Sequence, residues 1–167
     1  LRRAGSTDHS RLAYHAEGPA DAPAVLTHAV EAAHAAIAAR SNREGAAQYA
    51  RAIRFSDALG EEERASLLEA AGWALFIVNQ TDAAVAAHRQ ALEIRQRLDD
   101  PLGVGKNLRH LAYITWIRGN AHEAHELGMQ AVATLEQLEP GRELAMALST
   151  LGQLAMLAHR NAESRAW

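Results

Sequence analysis

Cysteine is absent from this chain of 167 residues, and proline occurs only four times. Without cysteine there is no disulfide framework, no thiolate zinc site and no cysteine nucleophile, which fits a cytoplasmic setting. Aromatic residues make up 5% of the chain and β-branched runs are nearly missing, so the small apolar residues and helix formers predict an all-α protein. The net charge of −3 argues against a polyanion-binding segment, so we expect no direct contact with nucleic acid.

Long hydrophobic runs are also missing. No stretch approaches the roughly 18 consecutive apolar residues that cross a bilayer, and the N-terminal residues lack the ordered regions of a signal peptide. We therefore expect a soluble protein without membrane contact. The chain starts at Leu1 without methionine and stops at Trp167 inside a helical pattern, so we expect it to be a piece of a longer protein.

Three segments of the chain repeat at a spacing of 40 residues. The recurring small residues are Gly72, Ala112 and Gly152 on one helical pattern and Ala84, Ala124 and Ser164 on the next. A fixed period of about 20 to 50 residues, with two helical patterns in each unit, indicates a stacked array of α-hairpins. Small residues on facing helices would let the two backbones approach closely.

Helix-breaking residues divide the chain into hairpins. Because Gly18-Pro19 ends a first helix, residues 1–20 are predicted to end a preceding unit and residues 21–167 to form the array. The predicted hairpins span about 21–59, 61–98, 102–139 and 142–167, the last with a turn at His159-Arg160-Asn161 and cut off at Trp167. The predicted fold is an all-α right-handed α-α superhelix of about four antiparallel hairpins, and its exposed end units would permit a homodimer.

No catalytic constellation stands out. Gly103-Val104-Gly105-Lys106 lacks the spacing and the hydroxyl residue of a phosphate-binding loop, and there is no serine elbow. His122 and His125 share a helix face, but a metal site needs a third and fourth ligand, so a surface or structural role is the better interpretation. We expect no enzyme activity, no cofactor and no metal in these residues.

The recurring small residues, with alanine seven positions further on at Ala91 and Ala131, resemble the tetratricopeptide repeat, whose period is about 34 residues. The phrases SRLAYHAE at 10–17, EGAAQYARA at 44–52 and ELAMALS at 143–149 resemble the helical repeat region of the large ATP-binding LuxR-type (LAL/STAND) transcriptional regulators of actinobacteria. This resemblance implies a sensory and interaction segment flanked by an ATPase module and a helix-turn-helix that lie outside these residues. The alternative is a stand-alone adaptor that binds a partner peptide.

In such arrays the first helix of each hairpin lines a concave groove. The candidate groove residues are Glu69, Trp73, Phe76, Lys106, Arg109, Tyr113, Trp116, Ser149, Gln153 and Met156. Aromatic side chains beside a few fixed polar groups suit a partner protein, a peptide or a small-molecule inducer. The other interpretation is that the aromatics pack between hairpins and that Arg109 pairs with a neighbouring carboxylate.

Overall fold

The computed structural model describes residues 8–18 and 21–164, and every regular element within them is helical. Those ranges contain α1 (His9–Glu17), α2 (Ala22–Ala38), α3 (Asn42–Ile53), α4 (Glu61–Ile77), α5 (Thr81–Arg97), α6 (Pro101–Ile117), α7 (Ala121–Leu135) and α8 (Arg142–Ser164). The all-α fold class predicted from the sequence is confirmed. Predictions made for residues 1–7, 19–20 and 165–167, and for the side chain of Ser164, lie outside the described part of the chain.

The chain folds as two compact units, one ending at Gln80 and the other beginning at Thr81. In the first unit α1 packs on α2, α2 on α3 and α3 on α4. In the second unit α5 packs on α6, α6 on α7 and α7 on α8, while α6 also packs on α8. The segments 21–59 and 102–139 hold the pairs α2–α3 and α6–α7, and the segment 61–98 supplies α4 to the first unit and α5 to the second.

Polar side chains fix where several helices begin. Asp21 Oδ1 accepts a hydrogen bond from the Ala24 amide at 3.1 Å and so caps α2. Asp100 Oδ1 accepts from the Gly103 amide at 2.9 Å, and Asn120 caps α7 in the same way. Proline lies in the first turn after both of these aspartates, where its missing amide hydrogen costs nothing.

Two helix ends differ from the sequence-based expectation. The helix α3 ends at Ile53, and Ser56–Ala58 form a 3-10 turn before α4, whereas the pattern predicts one helix reaching Leu59. Serine and aspartate hydrogen-bond locally to the backbone and so compete with a continuing helix. The helix α8 continues to Ser164, so the turn predicted at residues 159–161 does not form. That tripeptide contains neither glycine nor proline to break the helix.

Four helices end in the same left-handed turn. Among the residues that the structure describes, φ is positive at Arg40 (60°), Asn79 (64°), Asp99 (54°) and Gly119 (88°). In the first of these turns the amide of Arg40 donates to the Ile37 carbonyl at 2.9 Å, and the amide of Ser41 donates to the Ala36 carbonyl at 2.8 Å. This is the Schellman arrangement, which satisfies the last helical carbonyls. Only Gly119 takes up this conformation without a side-chain penalty.

We expect Arg40→Gly to raise the free energy of unfolding by about 1 kcal/mol, because glycine removes the cost of a left-handed non-glycine residue. The measurement is urea unfolding followed by circular dichroism. The control is Ala39→Gly, because the neighbouring Ala39 has a φ of −82° and glycine relieves nothing there. A loss of stability in Arg40→Gly would show that this turn stores no strain.

The buried core confirms the small-residue prediction at one repeat and contradicts it at another. Ala112 and Ala124 are fully buried in one cluster with Leu154, so the close approach of α6 and α7 needs small residues there. Gly152 is exposed, and a Cβ added to it would meet nothing within 4 Å. The explanation of Gly152 as a close-packing position is therefore wrong, because α8 presents that position to solvent.

Candidate functional site

A cavity of about 540 Å³ lies between α2 and α4 in the first unit. The helix α2 lines it with Leu26, Thr27, Val30, Glu31 and His34. The helix α4 lines it with Glu62, Glu63, Ser66, Leu67 and Ala70, and Tyr49 and Leu59 complete the wall. The volume is in the range of about 300 to 1,000 Å³ that small-molecule sites occupy.

Tyr49 forms an aromatic wall of the cavity together with His34. The Tyr49 side chain is 4% exposed, and the His34 ring packs edge-on against it with a centroid distance of 6.1 Å and an interplanar angle of 73°. Burial raises the pKa of Tyr49, so the hydroxyl stays protonated at neutral pH. A neutral phenol can donate and accept one hydrogen bond while its ring offers an apolar face.

A second cavity of about 230 Å³ shares Tyr49 and Ala70 with the first. The predicted groove residue Trp73 lines this second cavity, and its side chain remains 42% exposed. The ring of Trp73 packs on that of Phe76 with a centroid distance of 5.5 Å. Phe76 and Glu69 are half-buried on α4 and line neither cavity, so Trp73 is the predicted groove residue of this unit that borders open space.

In the second unit the predicted groove residue Arg109 is held by other side chains. Its Nη2 atom lies 3.7 Å from Glu143 Oε2 on α8 and 3.0 Å from His110 Nε2, and its side chain is 13% exposed. Burial lowers the pKa of Arg109, and the charge of Glu143 acts against that shift. The guanidinium stays charged. Arg109 therefore makes the ion pair with a neighbouring carboxylate that the sequence left open as its alternative role.

The other predicted residues of the second unit divide between core and surface. Trp116 packs against the cluster of Ala112, Ala124 and Leu154, and the Tyr113 ring lies 6.4 Å from the Trp116 ring. Lys106 is half-buried on α6. The remaining predicted residues, all exposed on α8, are Ser149, Gln153 and Met156. The second unit thus does not gather its predicted groove residues around one cavity among those described.

A buried polar cluster in the second unit was not predicted from the sequence. His88 of α5 and Asn107 of α6 are each 1% exposed, and His88 Nδ1 lies 2.9 Å from Asn107 Oδ1. The His88 and His110 rings stack at a centroid distance of 4.9 Å and an interplanar angle of 5°. The available signal was the three-residue spacing of Asn107 and His110, which places two polar side chains on one face of an otherwise apolar helix.

The histidine pair singled out in the sequence lies at the surface. His122 Nε2 is 3.4 Å from Glu126 Oε1, and both side chains are largely exposed. Among the residues that the structure describes, no three histidine or carboxylate side chains are placed to share a metal ion. In the same residues, no helix has the length and apolar character needed to cross a membrane.

The fold is similar to that of a solved structure, BtubC (BKLC) from P. vanneervenii. The two superimpose with a TM-score of 0.71 at 19% sequence identity, over 87% of this chain and 61% of BtubC. This chain therefore spans less than two thirds of the length of BtubC. No family model and no curated protein matches the chain. At this identity the likeness to BtubC shows the fold alone.

Proposed function

We propose that this chain is the tetratricopeptide-like sensory and interaction segment of a signal-responsive, ATP-binding LuxR-type transcriptional regulator of the cytoplasm. The cavity between α2 and α4 is the observation that supports the binding role, because it combines an apolar wall with a few polar groups at the size of a ligand site. The regulatory role rests on the phrases at 10–17, 44–52 and 143–149. The ATPase and DNA-binding modules belong to parts of the protein outside this chain.

A ligand in this cavity would contact α2 and α4 at once. Binding would then favour the spacing of the two helices at which both sets of contacts form, and disfavour other spacings. In a helical repeat array each unit packs on its neighbours, so a change in one hairpin passes along the array to the modules attached to it. An inducer would act on the regulator in this way.

Filling the cavity is expected to weaken ligand binding. Ala70 lines both cavities of the first unit, so Ala70→Trp places a large ring inside them. A mixed library of anionic, neutral and cationic small molecules is screened by ligand-observed NMR. The unmodified protein should bind a subset, and Ala70→Trp should weaken that binding by at least about tenfold.

The matched control is Ala86→Trp, an exposed alanine of α5 that lines neither cavity. This variant should bind the same compounds as the unmodified protein. If no library compound binds in a way that Ala70→Trp weakens, the binding role assigned to the cavity is wrong. The melting temperatures of the two variants show whether either substitution has simply unfolded the protein.

The regulatory role is tested by reading the open reading frame on both sides of this chain. A phosphate-binding loop upstream and a helix-turn-helix downstream are expected. Their absence would contradict the regulator and favour a stand-alone adaptor that binds a partner peptide.

A further inference from the structure

We propose that the cavity between α2 and α4 selects a small organic cation, an ammonium group attached to an apolar body. This inference rests on the proposed binding function and names the ligand class for the same site. Three observations support it: the charges on the wall of the cavity, the side chains at the same register in the second unit, and the aromatic wall.

The described wall of the cavity carries three carboxylate side chains and neither of the two strongly basic residue types. Glu31, Glu62 and Glu63 line it, and none of its described lining residues is lysine or arginine. Glu62 and Glu63 lie in the first turn of α4, where the helix dipole by itself favours carboxylates. Glu31 lies in the middle of α2, where the dipole gives no such reason. Carboxylates from both helices thus make the cavity electronegative.

The second unit places a cation of its own at the equivalent position. Aligning α2 with α6 on their capping aspartates makes Val30 the counterpart of Arg109. Arg109 reaches across from α6 to Glu143 in the first turn of α8. In the first unit Val30 of α2 and Glu63 of the first turn of α4 line the same cavity. An ammonium group bound beside Glu63 would supply a positive charge like the one that Arg109 supplies beside Glu143 in the second unit.

The rest of the cavity suits the apolar part of such a ligand. Leu26, Val30, Leu59 and Leu67 give aliphatic walls, and the buried ring of Tyr49 lies beside them. Tyrosine rings attract an ammonium group through the negative face of the π-system. Because burial keeps the hydroxyl of Tyr49 protonated, this residue adds no further charge. A ligand with one cationic end and one apolar end therefore matches the lining better than an anion or a fully apolar molecule.

The test compares three probes of nearly equal shape: octylammonium, octanol and octanoate. Each is titrated into the protein and followed by amide chemical shifts, which also locate the bound probe. Octylammonium is expected to bind at least about tenfold more tightly than octanoate, with octanol between them, because like charges in a site of this kind oppose binding. The shifted amides should belong to α2 and α4.

Three variants test whether the carboxylates of the cavity cause the preference for octylammonium. Glu31→Gln combined with Glu63→Gln should bring octylammonium close to the affinity of octanol and leave octanol unchanged. Val30→Arg should weaken octylammonium binding, because it places a guanidinium at the position that is equivalent to Arg109 of the second unit. Glu93→Gln, which removes an exposed carboxylate of α5 outside the cavity, should change nothing. Melting temperatures confirm that each variant is folded before binding is compared.

The outcomes separate this inference from the proposed function. If octanol or octanoate binds as tightly as octylammonium and Ala70→Trp still weakens it, the cavity binds by apolar contact and the cation inference is wrong. The same conclusion follows if octylammonium fails to bind while other library compounds bind in a way that Ala70→Trp weakens. If no compound of any charge binds, both the inference and the binding role fail.

Discussion

Lowering the pH from 7 to 4 is expected to reduce the free energy of unfolding by about 3 kcal/mol through His110 alone. Burial lowers the pKa of His110 from 6.5 to about 3, and the charges of Arg109, His88 and Lys106 add to the shift. In the unfolded chain His110 takes up a proton below about pH 6.5, while the folded protein keeps it neutral down to about pH 3. The unfolded state therefore binds more protons in this window, and stability falls as the pH falls.

The hydrogen bonds around His110 lead to the same conclusion without the pKa. The guanidinium of Arg109 can only donate, so His110 Nε2, 3.0 Å from Arg109 Nη2, accepts and its ring carries the proton on Nδ1. Protonating Nε2 would break this hydrogen bond and place a positive charge beside Arg109. Asn107 Nδ2 donates to the Gly103 carbonyl at 2.9 Å, so its Oδ1 accepts from His88 Nδ1. The cluster thus holds both rings in defined tautomers.

Urea unfolding of His110→Gln at pH 7, 6, 5 and 4 tests this account. Glutamine cannot take up a proton in this range, so the decline in stability between pH 7 and pH 4 should be smaller by about 3 kcal/mol. His122→Gln removes an exposed histidine and should keep the full decline. Equal pH profiles for His110→Gln and the unmodified protein would assign the acid sensitivity to other groups and contradict the role of His110.

The helices of this fold could be predicted because their signals are local. Asp21 and Asp100 each precede a proline and an apolar helical pattern, and the structure shows both capping the helix that follows. The end of α3 was missed because the apolar pattern continues to Leu59 while the backbone turns before it. Helix type follows from periodicity, whereas a helix end depends on which local hydrogen bonds form.

The candidate site was harder to predict, because a cavity forms where no side chain fills the space between two helices. Trp73 and Tyr113 hold equivalent positions in the 40-residue repeat, yet Trp73 borders a cavity, whereas the half-buried Tyr113 packs beside the Trp116 ring. The register predicts which face of a helix a residue occupies. Whether the space beside that face is filled depends on the neighbouring helix, which lies far away in the sequence. The acidic lining of the cavity was missed for the same reason, because Glu31 and Glu63 come from different helices.

The second large change in stability is expected at the close contact between α6 and α7. Gly105→Ala is expected to lower the free energy of unfolding by about 2 kcal/mol, since overpacking a core costs up to about 3 kcal/mol and alanine returns about 1 kcal/mol in helix propensity. A Cβ on Gly105 would lie 2.6 Å from Leu135 Cδ2 and 2.9 Å from its Cδ1. Leu135 is buried in a cluster with Leu108 and Val132, so moving away from the new methyl group would cost its side chain the contacts that it makes in that cluster.

Gly152→Ala is the matched control, because a Cβ added to that helical glycine would meet nothing within 4 Å and alanine should raise the free energy of unfolding by about 1 kcal/mol.

Leu135→Ala alone should lower the free energy of unfolding by about 2 to 5 kcal/mol through the cavity it leaves. Combined with Gly105→Ala it should cost less than the sum of the two, because the new methyl group occupies part of the space that the leucine vacates. Urea unfolding of the four variants gives each value. Additive losses, or a Gly105→Ala protein as stable as Gly152→Ala, would mean that α6 and α7 can separate to admit a side chain, and the need for glycine at this crossing would be disproved.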